Sequence, residues 1–198
     1  GLTMEEIDIY DFDKTLVPFD SGSLFVLYCV VHYPWILICL PIISVTGLLK
    51  LLKLISFTTF KKSCFMFVPL IPLKSAVKKF WDKHEKEVFD WWLEKDKRNY
   101  VVISASPDFL LKDISERLSF DHLISTRHNK RGIIIGENCR DEEKVIRFKK
   151  EFPNAKVVDV YSDSLFHDKP IFSLATGQCY HINEGKLEPF DFKEKYGV

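Results

Sequence analysis

A long stretch of this 198-residue chain lacks acidic side chains. No aspartate or glutamate occurs from Ser21 to Trp81, and no Asp, Glu, Lys or Arg occurs from Ser21 to Leu49. Cysteine is also scarce, since the five cysteines include no Cys-x-x-Cys pair. This disfavours a disulfide framework or a zinc site and favours a reducing compartment. Internal repeats and low-complexity tracts are missing too, which excludes solenoid and collagen-like architectures.

The charges that are present balance overall but are unevenly placed. Lys and Arg total 28, as do Asp and Glu, which argues against a protein that holds nucleic acid through bulk basicity. The first 20 residues carry six acids, whereas the acid-free stretch carries seven lysines. The acidic N-terminal residues do not have the pattern of a secretory signal, so we expect a cytoplasmic protein. An apolar content of 46% is enough for a folded core.

Apolar runs alternate with helical patterns along the chain. Strands are predicted at 7–10, 100–103, 120–126, 132–136 and 157–161. Helices are predicted at 81–97, at 110–118 and at 141–152, the last with Asp141 as its N-cap. This alternation is typical of an α/β fold with a parallel sheet flanked by helices.

Polar residues follow three of the predicted strands directly. Asp11, Ser104 and Asp163 stand at these strand ends, and the ligand of an open parallel sheet binds beyond the carboxyl ends of its strands. Asp11 and Asp13 are two residues apart, so their side chains point the same way if the strand pattern persists. Paired carboxylates need a cation or a shared proton, and Mg²⁺ prefers oxygen ligands.

Four short motifs occur in the order found in a known superfamily. They are the sequence Asp-Phe-Asp-Lys-Thr-Leu at 11–16, Ser104 after an apolar strand, Lys144 early in a helix, and Asp163 followed by Asp168. Together they resemble the motifs of the haloacid dehalogenase (HAD) superfamily of phosphatases. The resemblance implies a HAD-like Rossmannoid core formed by residues 1–19 and 97–198, with a helical C1-type cap at 20–96.

The resemblance also implies roles in phosphoryl transfer. Asp11 would be the nucleophile that becomes an aspartyl-phosphate, and Asp13 would be the general acid and base. Ser104 and Lys144 would hold the phosphoryl oxygens. The helical cap resembles that of the phosphoserine phosphatase-like branch, subfamily IB.

A metal site is implied by the same motifs. Asp11, the main-chain carbonyl of Asp13, and Asp163 would bind Mg²⁺, with Asp168 as a further ligand. Asp168 stands one residue further from Asp163 than in the phosphoserine phosphatase pattern, which puts its direct ligation in doubt.

Four other polar residues near these motifs are considered for binding roles. Ser106 is a phosphate contact or the cap of the following helix. Asp20 and Ser21 are the nearest candidates for binding a polar head group. His167 is interpreted as a loop residue rather than a ligand.

The uncharged run from Ser21 to Leu49 is long enough for a transmembrane helix. A single crossing would separate Asp11 from Ser104, and Pro34 and Pro41 interrupt the run. A helical hairpin at a membrane interface, in a cap interior or in a homodimer contact fits better, and the following lysines favour an anionic lipid surface.

Three functions follow from these alternatives. The first is a Mg²⁺-dependent phosphomonoesterase that is peripheral on the inner face of the membrane. Its substrate would be a lipid phosphate such as phosphatidylglycerophosphate, because the layout resembles HAD-type phosphatidylglycerophosphatases. The second is a small-molecule phosphatase of the phosphoserine type with a soluble cap. The third is a HAD-fold binding protein without turnover.

Overall fold

The computed structural model describes residues 4–198, and a six-stranded sheet organises it. The spatial order of the strands is β3-β2-β1-β4-β5-β6, in which β1 to β5 are parallel and β6 runs antiparallel to β5. The strands are β1 (Glu5–Tyr10), β2 (Tyr100–Pro107), β3 (His122–Thr126), β4 (Ala155–Ser162), β5 (Cys179–Asn183) and β6 (Lys186–Phe190). The predicted α/β fold with a mainly parallel sheet is therefore confirmed.

Successive side chains of the central strands lie on alternate faces of the sheet, and this divides the core into two layers. Val101 and Ile103 of β2 lie in one hydrophobic cluster, and Tyr100 and Val102 lie in the other. This division follows from the strand geometry, since successive side chains point to opposite faces of a sheet. The central strands are buried on both faces, which explains why they appear in the sequence as nearly continuous apolar runs.

Helices cover both faces of the sheet, and five of them come from the segment inserted between β1 and β2. The inserted helices are α1 (Ser21–His32), α2 (Leu40–Leu51), α3 (Phe57–Cys64), α4 (Leu73–His84) and α5 (Asp90–Glu94). The remaining helices are α6 (Asp108–Arg117), α7 (Glu142–Glu151), α8 (Lys169–Phe172) and α9 (Phe192–Tyr196). Short 3₁₀ segments occur at Pro34–Cys39, Val68–Leu70 and Glu85–Glu87.

The inserted segment shares a core with the sheet. Phe80 and Trp81 of α4 are fully buried in the same cluster as Tyr10 and Phe12. The indole N–H of Trp81 donates to the main-chain oxygen of Leu110 at 2.8 Å. The insertion is thus anchored against the strand ends, next to the predicted site.

Two sequence-based predictions of local structure are wrong, and a third is confirmed only in its position. Residues 132–136 form no strand, because pairing stops at one bridge between His128 and Ile134. The helix predicted at 81–97 is broken after His84, where the N–H of Phe89 donates instead to the carbonyl of Leu16 at 2.8 Å. Asp141 is the N-cap residue of α7, as predicted, but its side chain makes no capping hydrogen bond.

The insertion presents an apolar surface. No residue of α2 is buried, and the segment Pro34–Leu51 is the one helical stretch in residues 4–198 that is long and apolar enough to cross a membrane. Large apolar side chains are exposed throughout this part of the cap: Leu27, Val31, Trp35, Leu37, Ile38, Leu40, Ile42, Val45, Leu48, Leu51, Leu52, Leu54 and Phe57. We call these thirteen residues the apolar cap face.

Candidate active site

The carboxyl ends of β1, β2 and β4 bring the predicted polar residues to one edge of the sheet. Asp11 directly follows β1, and its main-chain N–H donates to the Tyr161 carbonyl of β4 at 2.9 Å. Ser104 lies in β2, and Asp163 directly follows β4. Strand β1 stands between β2 and β4. From β1 the sheet extends to one side through β2 and β3 and to the other side through β4 and β5, so the strand order reverses here. This reversal opens the crevice in which such folds bind ligands.

Asp11 is paired with a buried lysine. Lys144 Nζ lies 2.9 Å from Asp11 Oδ1 and 2.9 Å from Asp168 Oδ1. Burial alone would lower the pKa of Lys144, but the two carboxylates outweigh it and raise the pKa. Burial and the nearby Asp163 raise the pKa of Asp11 to about 6, against the opposing effect of Lys144. The lysine therefore stays charged beside the candidate nucleophile.

Asp168 holds that lysine. Its carboxylate contacts Lys144 through both oxygens and accepts a hydrogen bond from Ser162 Oγ at 2.5 Å. Burial raises the pKa of Asp168, and Lys144 opposes the rise. These contacts give Asp168 a role in positioning Lys144, and its direct ligation of a metal stays a prediction.

Asp13 lies between two serine hydroxyl groups. Asp13 Oδ1 accepts hydrogen bonds from the main-chain N–H of Ser21 at 2.9 Å and from Ser21 Oγ at 2.5 Å. Asp13 Oδ2 accepts a hydrogen bond from Ser106 Oγ. Burial and Asp20 raise the pKa of Asp13 to about 7, whereas the two hydroxyl groups oppose the rise. A carboxyl group with such a pKa is suited to general acid and base catalysis near neutral pH.

These contacts correct the roles predicted for two serines. Ser21 was expected to bind a head group, but its hydroxyl is committed to Asp13. Ser106 was expected either to contact phosphate or to cap α6. It does not cap α6, which begins after Pro107 without a side-chain cap, and its hydroxyl also holds Asp13.

Asp20 and Ser104 occupy the positions expected of them at the cavity. Asp20 lines it and caps α1, because its Oδ1 accepts a hydrogen bond from the Ser23 N–H at 2.8 Å. Ser104 is buried, and its Oγ accepts a hydrogen bond from the Ser106 N–H at 3.1 Å. The Ser104 hydroxyl proton is left available for an oxygen of a bound phosphoryl group.

Thr15 is a site residue to which the sequence interpretation gave no role. Its Oγ1 lies 3.0 Å from Asp11 Oδ2 and 3.4 Å from Asp163 Oδ1, and it accepts the Asp163 N–H at 3.0 Å. The threonine therefore fixes the spacing of the two carboxylates. Its place two residues after Asp13 in the first motif was a usable signal.

The oxygen atoms around Asp11 and Asp163 suit a magnesium ion. Thr15 Oγ1 contacts both Asp11 Oδ2 and Asp163 Oδ1, so these two carboxylates lie close together, and burial raises the pKa of each. Two neighbouring carboxylates are stabilised by a divalent cation. Over the described range 4–198, no three His, Cys, Asp or Glu side chains converge on one point. Mg²⁺ keeps several waters when it binds to proteins and needs few protein carboxylates.

A cavity of about 710 Å³ opens over these residues, between the sheet edge and the cap. Its walls include Lys61 of α3, Asn138 and Arg140, none of which the sequence singled out. Lys61 Nζ donates to Asn138 Oδ1 at 2.6 Å. Lys61 is far from Asn138 and Arg140 in the chain, so no local pattern could have shown that it meets them at the cavity.

The order and geometry of the motifs agree with a family-wide comparison. Residues 9–173 match the family model of the haloacid dehalogenase-like hydrolases. The chain belongs to this family. The predicted superfamily membership is therefore confirmed, and the matched range of this haloacid dehalogenase-like hydrolase includes every candidate catalytic residue described above.

Similar proteins support the fold of this haloacid dehalogenase-like hydrolase. Protein CicA of Caulobacter vibrioides is 33% identical over 93 residues, which cover 43% of this chain and only 41% of CicA. A Bordetella pertussis Tohama I structure of unknown function aligns with a TM-score of 0.66 at 18% identity, covering 85% and 86% of the two chains. A phosphoserine phosphohydrolase-like protein from Francisella tularensis aligns with a TM-score of 0.56 at 17% identity, covering 92% and 90%.

Proposed function

We propose that this hydrolase cleaves phosphomonoesters through a covalent phosphoaspartate formed on Asp11. The observation that carries the proposal is the pairing of Asp11 with Lys144 at 2.9 Å beside a second carboxyl, Asp13, held by Ser21 and Ser106. One carboxylate has a cationic partner, and the other has a pKa near neutrality. Two carboxyl groups in contrasting environments divide nucleophilic and acid–base roles between them.

The proposed reaction has two displacements at phosphorus. In the first, an Asp11 oxygen forms a bond to phosphorus, the bond to the alcohol oxygen breaks, and Asp13 gives its proton to that oxygen. In the second, Asp13 takes a proton from water, the resulting hydroxide attacks phosphorus, and the bond to Asp11 breaks. Ser104 and Lys144 hold the phosphoryl oxygens in both steps, because phosphoryl transfer depends on positioning and charge neutralisation.

A magnesium ion would be held by the carboxylates of Asp11 and Asp163 and by the main-chain carbonyl of Asp13. When bound, it would neutralise charge on the phosphoryl oxygens and on the carboxylates. Thr15 sets the spacing of the two carboxylates through contacts of 3.0 and 3.4 Å.

For the substrate we propose a lipid phosphate such as phosphatidylglycerophosphate, presented at an anionic membrane. The apolar cap face supports this proposal, because exposed apolar patches of such extent are typical of membrane or protein contacts. Lys50 and Lys53 adjoin the face, and no acid occurs between Ser21 and Trp81. Anionic lipid attracts such basic, acid-free surfaces, so the enzyme would be peripheral on the inner, cytoplasmic side of the membrane.

The decisive experiment measures Mg²⁺-dependent hydrolysis of p-nitrophenyl phosphate by the wild type and by Asp11→Asn. We expect the substitution or EDTA to abolish turnover, and BeF₃⁻ with Mg²⁺ to protect only the wild type against thermal unfolding. Activity that survives Asp11→Asn would contradict the nucleophile. Absence of both turnover and BeF₃⁻ protection would favour a binding protein.

A substrate panel in mixed micelles separates lipid from small-molecule phosphatases. We expect phosphatidylglycerophosphate to be hydrolysed with a higher kcat/KM than phosphoserine, and the protein to float with phosphatidylglycerol vesicles. Preference for phosphoserine, with no vesicle binding, would instead indicate a small-molecule phosphatase. A cap face covered by a second copy would appear as a dimer in light scattering.

A further inference from the structure

Lys61 places a positive charge in the cavity that the proposed reaction does not use. It lies on α3, and its Nζ donates to the main-chain oxygen of Ala105 at 2.5 Å and to Asn138 Oδ1 at 2.6 Å. Both acceptors are neutral, and no carboxylate within the described chain approaches this ammonium to 4.0 Å. An ammonium has three N–H donors, so one donor is left for a group in the cavity.

A second cation, Arg140, lines the same cavity. Its guanidinium lies 5.0 Å from the centroid of the Phe57 ring and donates to His167 Nε2 at 2.5 Å. Its nearest carboxylate, on Asp141, is 4.0 Å away and half exposed. Burial lowers the pKa of Lys61 to about 8, and Asp13 and Asp20 oppose this lowering more strongly than Arg140 adds to it. Because Lys61 and Arg140 both line the cavity, both can attract an anion that enters it.

The two cations are separate from the residues that would hold the phosphoryl group. That group is assigned to Asp11, Ser104 and Lys144, whereas Lys61 contacts the carbonyl of Ala105, the residue after Ser104. Beyond Lys61 the cavity wall is apolar, and it contains Val26, Ile43, Phe57, Phe60 and Phe65. An anion at Lys61 would therefore belong to the alcohol side of the substrate, between the phosphoryl group and an apolar part.

We propose that Lys61 and Arg140 form a subsite for a second anionic group on the substrate. This inference rests on the proposed phosphomonoesterase function and adds a substrate class: phosphomonoesters whose alcohol portion carries another negative charge. The second anion would be the phosphodiester of a lipid head group or the carboxylate of a small metabolite. Both would accept the free N–H of Lys61, since charge-assisted hydrogen bonds are the stronger ones.

The experiment must distinguish a substrate-binding role of Lys61 from a purely structural one. The Ala105 carbonyl also accepts a hydrogen bond from Thr126 Oγ1 at 2.8 Å. When Lys61 is replaced, the Ala105 carbonyl of β2 therefore keeps one of its two side-chain hydrogen bonds. A subsite role predicts losses that depend on the substrate, whereas a structural role predicts equal losses for every substrate.

The test compares Lys61→Met, Lys61→Arg and the exposed-lysine control Lys79→Met on three soluble substrates. These are p-nitrophenyl phosphate, 3-phosphoglycerate and monomeric dioctanoyl phosphatidylglycerophosphate. For Lys61→Met we expect KM to rise about tenfold or more for at least one two-anion substrate, and less than about twofold for p-nitrophenyl phosphate. Lys61→Arg should recover most of the loss, and Lys79→Met should behave as wild type.

The pattern of losses identifies the source of the second anion. A loss confined to the phosphatidylglycerophosphate analogue indicates a lipid phosphodiester, and one confined to 3-phosphoglycerate indicates a metabolite carboxylate. Equal losses on all three substrates, or none, would overturn the proposal.

A binding measurement keeps the inference testable if turnover fails. In the Asp11→Asn background, calorimetry with 3-phosphoglycerate, the dioctanoyl analogue and inorganic phosphate should show that Lys61→Met weakens a two-anion ligand about tenfold more than phosphate. Equal weakening would contradict the subsite even if the protein has no phosphatase activity. If only the proposed function fails, Lys61→Met should still weaken the two-anion ligand more than phosphate, although the protein with Asp11 intact hydrolyses none of the substrates.

Discussion

Asp11 and Asp13 are both buried, but their neighbours differ. Asp11 faces the Lys144 ammonium at 2.9 Å, and its pKa is raised to about 6 by burial. Asp13 has two hydroxyl donors and no cation at contact distance among residues 4–198, and burial with Asp20 raises its pKa to about 7. The first surroundings favour an ionised nucleophile, whereas the second permit a carboxyl that alternates between protonated and ionised forms.

Removing one hydroxyl donor from Asp13 should change the pH dependence of catalysis. The Ser106 hydrogen bond stabilises the ionised form and lowers the pKa of Asp13, so Ser106→Ala should raise that pKa further. The alkaline limb of kcat/KM for 3-phosphoglycerate should then move to higher pH, because Asp13 must be protonated to release the alcohol. A pH–rate series detects the shift, and Ser75→Ala, an exposed serine on α4, is the control. An unchanged limb would contradict the assignment of Asp13 as the acid.

Replacing Lys144 should destabilise the fold as well as inactivate the enzyme. Lys144→Met leaves Asp11 and Asp168 buried without their shared cation, and breaking a buried pair costs about 3 kcal/mol or more. The loss in the free energy of unfolding should be larger at pH 8 than at pH 5, where the raised pKa values allow the carboxyls to protonate. Urea unfolding at both pH values measures it. A loss that is the same at both pH values would indicate lost packing instead of unpaired charge.

At the scale of elements, the strand ends were the most predictable feature. Short apolar runs before Asp11, Ser104 and Asp163 form adjacent strands because parallel pairing buries both of their faces. The convergence of polar residues then follows from topology alone. Those residues could be found from sequence since each lies one step beyond, or inside, a recognisable strand.

Elements shaped by distant contacts were not predictable in the same way. The helix predicted at 81–97 ends early because Phe89 bonds to Leu16, which is far away in sequence. The hairpin of β5 and β6 was missed, although Glu184 and Gly185 at its turn both have positive φ, which is typical of a two-residue hairpin turn. Lys61 approaches the site only because α3 packs across the cavity, and no spacing rule encodes that contact.

A charge placed on α2 should weaken the proposed membrane contact without affecting catalysis. Leu48 is 56% exposed on the apolar cap face and does not line the cavity. We expect Leu48→Glu to reduce binding to phosphatidylglycerol vesicles about tenfold, because one buried leucine contributes about 1.5–3 kcal/mol. Vesicle flotation measures binding, and p-nitrophenyl phosphate hydrolysis should be unchanged.

A matched control is available on α7, outside the cap. Ile146 of α7 is 58% exposed but lies outside the cap, so Ile146→Glu should leave vesicle binding as in the wild type. Equal losses for both substitutions would indicate a general effect of added negative charge. No loss for Leu48→Glu would place the membrane contact elsewhere or remove it.

Across the whole molecule, the balanced charge hides a separation between the site and the cap. Asp11, Asp13 and Asp163 meet at the sheet edge, whereas the facing cap segment from Ser21 to Trp81 contains lysines but no Asp, Glu or Arg. A phosphorylated ligand between them would meet cations from the cap and from Lys144. The buried carboxylates, by contrast, lie among other acids: burial and Asp163 raise the pKa of Asp11, and burial and Asp168 raise the pKa of Asp163.

This separation predicts that the stability of the metal-free protein depends on pH. Folding raises the pKa of Asp11 from 3.8 to about 6 and that of Asp13 to about 7. Groups with a raised pKa favour the folded state fully below about pH 4, and this contribution is lost as the pH rises through their folded pKa values. From these groups alone, the free energy of unfolding should therefore fall between about pH 4 and about pH 7, and it should be lowest above that range.

Added Mg²⁺ should restore stability mainly on the alkaline side of this range. At pH 8 Asp11, whose pKa is about 6, is ionised beside Asp163 and can bind a cation, whereas at pH 5 the metal must displace a proton from Asp11. At a concentration of about 100 Kd, binding contributes roughly 2.7 kcal/mol, equivalent to a rise in Tm of roughly 5–10 °C. Thermal unfolding at both pH values should show the larger rise at pH 8.

Asp163→Asn should remove most of the rise in Tm caused by Mg²⁺, whereas Asp168→Asn should keep it, since Asp168 contacts Lys144 and Ser162 instead. The opposite result for these two variants would indicate that Asp168 is a metal ligand and that Asp163 is not.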